Sequence, residues 1–303
     1  MKKRVLITGA NGLLGQKLVQ LLLEDPLYDL IATGRGDNRL PYKDKGYTYV
    51  SLDITDNEQV DEIVTKLKPE VIINTAAMTN VDQCEDDREA CWMQNVQAVQ
   101  NMVDAAEKNK CFLIHLSTDF IFDGQEGPYD EDATPKPLSY YGETKLGAEK
   151  IIKQSKIKWA IARTVLVYGI AHDMSRSNII LWVKKNLEDK KPIQVVDDQF
   201  RSPTLAEDLA MGCYLLMENG ATGIYNISGK EVLTPYQMAI KTAEFFNLDK
   251  SLITKTDSTK FKQRAPRPLK TGFLIDKAIN KLGYDPNSFE EGIKLISEQM
   301  ANR

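Results

Sequence analysis

A tyrosine and a lysine stand four residues apart in Tyr141-Gly-Glu-Thr-Lys145, at the start of a segment with helical spacing. Positions i and i+4 share a helix face, so phenol and ammonium address one site. A phenol near its ordinary pKa of about 10 is a poor acid–base catalyst at neutral pH. A neighbouring cation favours the phenolate and lowers that value, and Lys145 is placed to do so. Tyr140 has Thr144 four residues on, and no catalytic role is assigned to it. Ser117-Thr118-Asp119 follows an apolar run that reads as a strand. Ligands of open α/β sheets bind outside the carboxyl ends of the strands. A hydroxyl there, Thr118 first, can orient a substrate carbonyl, with Asp119 beside it. The alternative is a polar cluster that caps a turn.

A second group of residues suits phosphate. Thr8-Gly9-Ala10-Asn11-Gly12-Leu13-Leu14-Gly15 joins a strand-like run to a helical one. Gly9 permits the tight turn, Gly12 lets a pyrophosphate approach the backbone, and Gly15 lets helix and sheet pack closely. Free N–H groups at the helix start then face the anion. Asn11, Leu13 and Leu14 belong to the same cradle. The end of the second strand distinguishes NAD from NADP, through an acid or a basic residue respectively. Here Thr33-Gly34-Arg35 has no acid until Asp37. Arg35 is therefore the candidate for a 2′-phosphate, which makes NADP the preferred cofactor and NAD the second. The alternative is a solvated surface arginine. With such a cofactor bound, Lys145 can also hold the nicotinamide ribose.

The elements that must position these groups read as repeated strand–helix units. Apolar runs occupy 4–8, 30–33, 47–52, 71–74, 111–116 and 159–164. They are apolar throughout, as buried parallel strands are. Helical spacing covers 57–67, about 86–107 and about 140–154. A Rossmann-like doubly wound parallel sheet over 1–170 follows, with a smaller substrate-binding lobe over 171–303 and chain crossing between them. In that lobe helices are expected near 178–188, 205–217, 235–246 and 288–300, and strands at 193–196 and 224–227. The polar stretch 254–271 reads as a loop.

Composition narrows the class. A 303-residue chain with net charge −4 has no basic footprint for nucleic acid. No apolar segment approaches the ~18 residues that span a bilayer, so no membrane partner is expected. The apolar run at residues 5–7 is too short for a signal peptide. Cys84, Cys91, Cys111 and Cys213 show no metal spacing and read as buried thiols of a cytoplasmic enzyme. The acids from Asp82 to Asp87 read as a solvated helix start rather than a metal site, and no metal is assigned.

Taken together, these residues resemble the extended short-chain dehydrogenase/reductases. More narrowly, the chain is similar to the dTDP-4-dehydrorhamnose reductase family, and also to the non-catalytic β-subunit of methionine adenosyltransferase. The resemblance rests on GANGLLG (9–15), LDITD (52–56), NTAAMTNVDQCE (74–85), STDFIFDG (117–124), YGETK (141–145), RTVLVYG (163–169), DDQFRSPTLAEDLA (197–210) and RPLKTG (267–272). It implies that Thr118, Tyr141 and Lys145 are catalytic, and that Ala76, Ala77 and Thr79 line the cofactor. It places Asp53 and Ile54 on the adenine side, Asn95 in a site-organising helix, and Arg267 near a sugar nucleotide. An arginine fork suits phosphate, although a solvated loop arginine is the alternative.

The chain departs from the family pattern at Leu166, where an aromatic is usual, at Arg201, where glycine is frequent, and over His172–Ser177. These leave the cofactor chemistry intact and open the identity of the substrate. The activity implied is reduction of a 4-keto sugar nucleotide. Epimerisation or dehydration, and a cofactor-binding regulatory subunit, are the alternatives. The oligomeric state is open, a homodimer among the choices.

Overall fold

The structure is a computed structural model that describes residues 2–42, 46–173, 177–261 and 263–302. In chain order the strands and helices are β1 (Lys3–Thr8), α1 (Leu13–Leu23), β2 (Tyr28–Gly34), β3 (Tyr47–Ser51), α2 (Asn57–Leu67) and β4 (Val71–Asn74). There follow α3 (Val81–Asp86), α4 (Arg88–Trp92), α5 (Ala98–Asn109), β5 (Phe112–Thr118), α6 (Tyr140–Gln154) and β6 (Lys158–Thr164). The second half holds β7 (Val167–Tyr168), α7 (Ile179–Glu188), β8 (Ile193–Val196), β9 (Thr204–Leu205), α8 (Ala206–Glu218) and β10 (Gly223–Asn226). It ends with α9 (Pro235–Phe245), β11 (Ile253–Thr256), α10 (Asp276–Leu282) and α11 (Phe289–Ala301).

Strands β10-β6-β5-β4-β1-β2-β3 form one sheet, parallel throughout. Alternate residues of a strand face opposite sides, and β1 shows why its run is wholly apolar. Val5 and Ile7 pack toward α1 and α8, among Leu18, Leu22, Leu209 and Leu216. Leu6 packs the other way, toward Val60 and Val64 of α2 and Val99 and Met102 of α5. Burying both faces excludes polar alternation. Chain order reverses between β4 and β1, and the carboxyl ends of the strands open there into a crevice, as in other doubly wound sheets.

The chain from residue 168 on builds two further apolar clusters. One gathers Tyr168, Ile180, Met238 and Phe289, the other Val183, Leu187, Val195 and Ala243. It also returns to the large sheet: β10 pairs with β6, and α8 packs on the α1 side.

Several elements depart from the sequence reading, the two-residue strands β7 and β9 among them. The single helix expected over 86–107 is α4, a π turn at Met93–Gln97 and α5. Asp87 interrupts it first, its carboxylate accepting from Ala90 N to start α4 afresh. The stretch expected as loop over 254–271 begins with β11, which pairs in parallel with β8. The short helix α10, closed by Gly283 at φ +69°, had no counterpart in the sequence reading. Residues 174–176 of the His172–Ser177 departure lie outside the described residues.

Candidate active site

The phosphate turn is built as its glycines require. Gly9 sits at φ +66°, and a Cβ there would meet Thr75 Oγ1 at 2.8 Å and Ala76 N at 2.9 Å. A Cβ on Gly15 would lie 2.3 Å from the Gly9 carbonyl oxygen, so only glycine lets α1 start this close to β1. Gly12 caps α1, whose first turn carries no acidic residue. The leading N–H groups of a helix have no intrahelical acceptor, and here they face the crevice with the positive end of the helix dipole. This cradle fits a dinucleotide pyrophosphate. The Asn11 side chain ties it to the loop after β2: Nδ2 donates to Asp37 O (3.1 Å) and Tyr49 Oη (3.0 Å), and Oδ1 accepts from Arg39 N (3.0 Å).

The crevice is a cleft of about 600 Å³. It brings together Gly9, Gly12, Leu13, Leu14 and Gly15 with Ala77 and Thr79, and with Thr118, Asp119, Tyr141, Lys145 and Leu166. An adjoining pocket of about 390 Å³ shares Gly12, Leu13 and Thr79 and adds Asn11, Arg39 and His172. Ala76, Arg35, Asp53 and Ile54 line neither space. Ala76 packs under the floor beside β4. Arg35 is exposed just past β2. Asp53 accepts from Thr55 N and Oγ1 and so caps the turn before α2, while Ile54 is buried.

Asn95 lies in the π turn, a geometry that recurs at functional sites. Its carboxamide clamps the loop after β4 through Met78 N (2.8 Å) and Met78 O (3.0 Å). It also donates to Thr144 Oγ1 on α6 (3.2 Å). One side chain thus fixes the cofactor-side loop to the helix that carries Tyr141 and Lys145.

The titratable groups differ from the expectation of an activated phenol. Burial raises the Tyr141 phenol well above its ordinary value; the Thr118 hydroxyl opposes this and Asp119 adds to it. Lys145 makes no hydrogen bond to the phenol among the described residues. Its Nζ donates to Leu116 O at 2.6 Å and lies 3.4 Å from His115 Nε2. Burial lowers Lys145 to about 8, against the pull of Glu149, so the ammonium form prevails at neutral pH. Burial likewise raises Asp119, opposed by Arg201, Thr271 and Thr118. Thr118 Oγ1 donates to Asp119 Oδ1 (3.1 Å), and Thr271 Oγ1 donates to Asp119 Oδ2.

Arg267 is separated from the cleft. It pairs with Asp82, Nη2 to Oδ2 at 2.7 Å and Nη1 to Oδ1 at 3.0 Å, and lines a different hollow of about 550 Å³. Asp82, read from sequence as part of a solvated helix start, is that partner. Arg201, read as a substrate-side departure, is buried and donates to the carbonyls of Phe200, Leu269 and Pro268. Its Nε lies 3.8 Å from Asp119. Sequence reasoning missed Arg39, His115 and the Arg267–Asp82 pair. Only Arg39 had a signal, a second basic residue in the loop after β2. Leu166 lines the cleft half-exposed at φ +39°, a conformation that costs a branched side chain of order 1 kcal/mol or more.

A doubly wound sheet with a glycine cradle at its switch point, and a Thr/Tyr/Lys set across the same cleft, defines an extended short-chain dehydrogenase/reductase. The RmlD substrate binding domain model matches residues 2–302, and the chain belongs to that family. It is 29% identical to dTDP-4-dehydrorhamnose reductase of Aggregatibacter actinomycetemcomitans, over 97% of this chain and 98% of that protein. It is 34% identical to methionine adenosyltransferase 2 subunit beta of Xenopus laevis, over 82% of this chain and 74% of that protein. A solved dTDP-4-dehydrorhamnose reductase from Bacillus anthracis, in complex with NADP, superposes with a TM-score of 0.84 at 28% identity, over 99% of this chain and 100% of that one.

Proposed function

We propose that this protein reduces a 4-keto sugar nucleotide of the dTDP-4-dehydrorhamnose type, with NADPH preferred over NADH. The observation that carries the reading is one cleft lined by both the phosphate cradle and the Thr118/Tyr141/Lys145 set. Gly9, Asn11, Gly12, Leu13, Leu14 and Gly15 would hold the pyrophosphate. Ala77 and Thr79 would line the nicotinamide side with Ala76 packed beneath them, and Asp53 and Ile54 would lie toward the adenine side. Arg35, with Arg39, would take the 2′-phosphate. The bound dinucleotide supplies a hydride.

The chain's own residues would do the rest. Thr118 would turn its single O–H from Asp119 to the substrate carbonyl and orient it. The buried phenol of Tyr141 holds its proton at neutral pH and would donate it to the developing alkoxide. Lys145, protonated and anchored on Leu116, would stabilise the phenolate left behind and hold the ribose. Asp119 and Leu166 would border the sugar. Arg267 would serve the sugar-nucleotide phosphates, which must first displace Asp82 from its guanidinium.

A second reading, a dinucleotide-binding subunit, has one observation in its favour: the 34% identity to the adenosyltransferase subunit. The reductase match extends over nearly the whole of both chains, which favours the enzyme. A cytoplasmic compartment belongs to the same reading, on the four cysteines that stay free and buried. Among the described residues no helix is long and apolar enough to cross a membrane.

The test is NADPH consumption with dTDP-4-dehydrorhamnose, for the native chain and for Tyr141→Phe. Native turnover with a loss of ~10²-fold or more in Tyr141→Phe, cofactor binding retained, is expected when a general acid is removed. Cofactor binding without turnover in the native chain would favour the binding subunit, and full turnover in Tyr141→Phe would remove the phenol from the chemistry.

A further inference from the structure

Beneath the cleft four polar side chains from four elements meet in line. Thr8 Oγ1 lies 2.6 Å from the Asn74 side-chain amide, and that amide lies 3.1 Å from His115 Nδ1. His115 Nε2 lies 3.4 Å from Lys145 Nζ. All four residues are buried, Lys145 the most exposed at 3%. The series joins the end of β1, which enters the phosphate turn, to the lysine of α6. No step of the chemistry above uses His115 or Asn74.

We propose that His115 is a positioning residue for Lys145: its neutral imidazole, oriented by Asn74, accepts a hydrogen bond from the ammonium and holds it at the cleft floor. An ammonium has three donors and no acceptor. Leu116 O takes one and His115 Nε2 the second, which leaves the third for a ligand. Nε2 can accept only if the imidazole proton sits on Nδ1. The Asn74 carboxamide must then turn its oxygen to Nδ1 and its nitrogen to Thr8, the reverse of the placement in which Thr8 Oγ1 donates to Asn74 Oδ1 at 2.6 Å; the proposal therefore includes that amide flip. The imidazole stays neutral, since burial and the adjacent Lys145 charge hold its pKa well below the ordinary value.

The other groups around the ammonium are accounted for. Glu149 of α6 pulls toward the charged form, but Arg163 of β6 binds it bidentately at 2.9 and 2.8 Å. Cys91 of α4 acts in the same direction as Glu149, and Tyr141 is protonated. Neither Glu149 nor Cys91 appears among the hydrogen-bond partners of Lys145 Nζ, which are Leu116 O and His115 Nε2. His115 is therefore the side chain placed to orient it.

The role of Lys145 in turnover rests on the reductase reading, so the test is made without turnover. The full-length protein is labelled with ¹³C-lysine, and the Lys145 Cε resonance, identified by its loss in Lys145→Met, is titrated by NMR. The native midpoint is expected near 8. His115→Leu removes the acceptor and should lower the midpoint by about one pH unit, a tenfold change in the protonation equilibrium. His115→Gln restores an acceptor and should return the midpoint toward the native one. A midpoint unchanged or raised in His115→Leu overturns the proposal, as does a His115→Gln midpoint no nearer the native value. If dTDP-4-dehydrorhamnose is not a substrate, these outcomes stand unaltered. If it is, the alkaline limb of kcat should move down with the Lys145 midpoint.

Discussion

Replacing Arg201 by methionine isolates what a buried cation contributes to this cleft. Methionine keeps most of the apolar stem and removes the guanidinium. Side-chain exposure is 6% for Arg201 and 3% for Asp119, and the Nε to Oδ2 separation is 3.8 Å. Two unit charges at ~4 Å interact by about 4 kcal/mol at an effective dielectric of ~20. Desolvation of both groups offsets most of this, and the raised Asp119 and lowered Arg201 pKa values show burial acting on each. Breaking the pair leaves the desolvation of Asp119 uncompensated. It also takes a donor from three carbonyls, at 2.8, 2.9 and 2.5 Å. The expected loss is about 3–5 kcal/mol, read from urea unfolding at neutral pH. Asp119→Asn in the Arg201→Met background should recover about 1–3 kcal/mol, since it removes the stranded charge. A loss under ~1 kcal/mol in Arg201→Met, the ordinary cost of a surface change, would refute the argument. So would a second substitution that recovers nothing.

Gly15→Ala places a methyl 2.3 Å from Gly9 O and 2.6 Å from Ala10 Cα, both backbone atoms. An overpacking cost of about 1–3 kcal/mol in the turn should weaken NADPH by ~tenfold or more, measured by fluorescence titration. Asp208 accepts from Asn287 N and Nδ2, yet burial raises it to about 6. An acid with a raised native pKa contributes stability below its unfolded value of ~3.9 and loses it as pH rises through the native value. Unfolding free energy should therefore fall by about 1–3 kcal/mol between pH ~4 and ~7 on this account. Asp208→Asn should flatten that segment, and an unchanged slope would exclude Asp208 as its source.

The parts of the fold legible in the sequence are those with a repeating cause. Val5, Leu6 and Ile7 are all apolar because neighbours cover both faces of β1, and the same cause marks β2, β4 and β5. The π turn was hidden because helical periodicity tolerates one extra residue. The Asn95 contacts that accompany it reach residues 17 and 49 positions away. In β11 the burial pattern leaves only Ile253 and Thr256 inside, too little alternation to read as a strand. The α10 helix is two turns long and ends on Gly283, whose turn signal outweighed the brief run before it.

The same distinction divides the site. Tyr141 and Lys145 are legible because one helix fixes their spacing, and the cradle because one turn fixes its glycines. Arg267 meets Asp82 across 185 positions, and Arg201 meets Pro268 across 67, with no periodicity to announce either. Both contacts involve the segment that follows β11. Arg201 departs from the family's frequent glycine, and here it grips the backbone of Pro268 and Leu269 while facing the carboxylate beside Thr118. A glycine at 201 could make none of these bonds. The residue therefore couples the position of the Arg267 segment to the floor of the cleft, so any movement of Arg267 away from Asp82 must work against a segment held at Pro268.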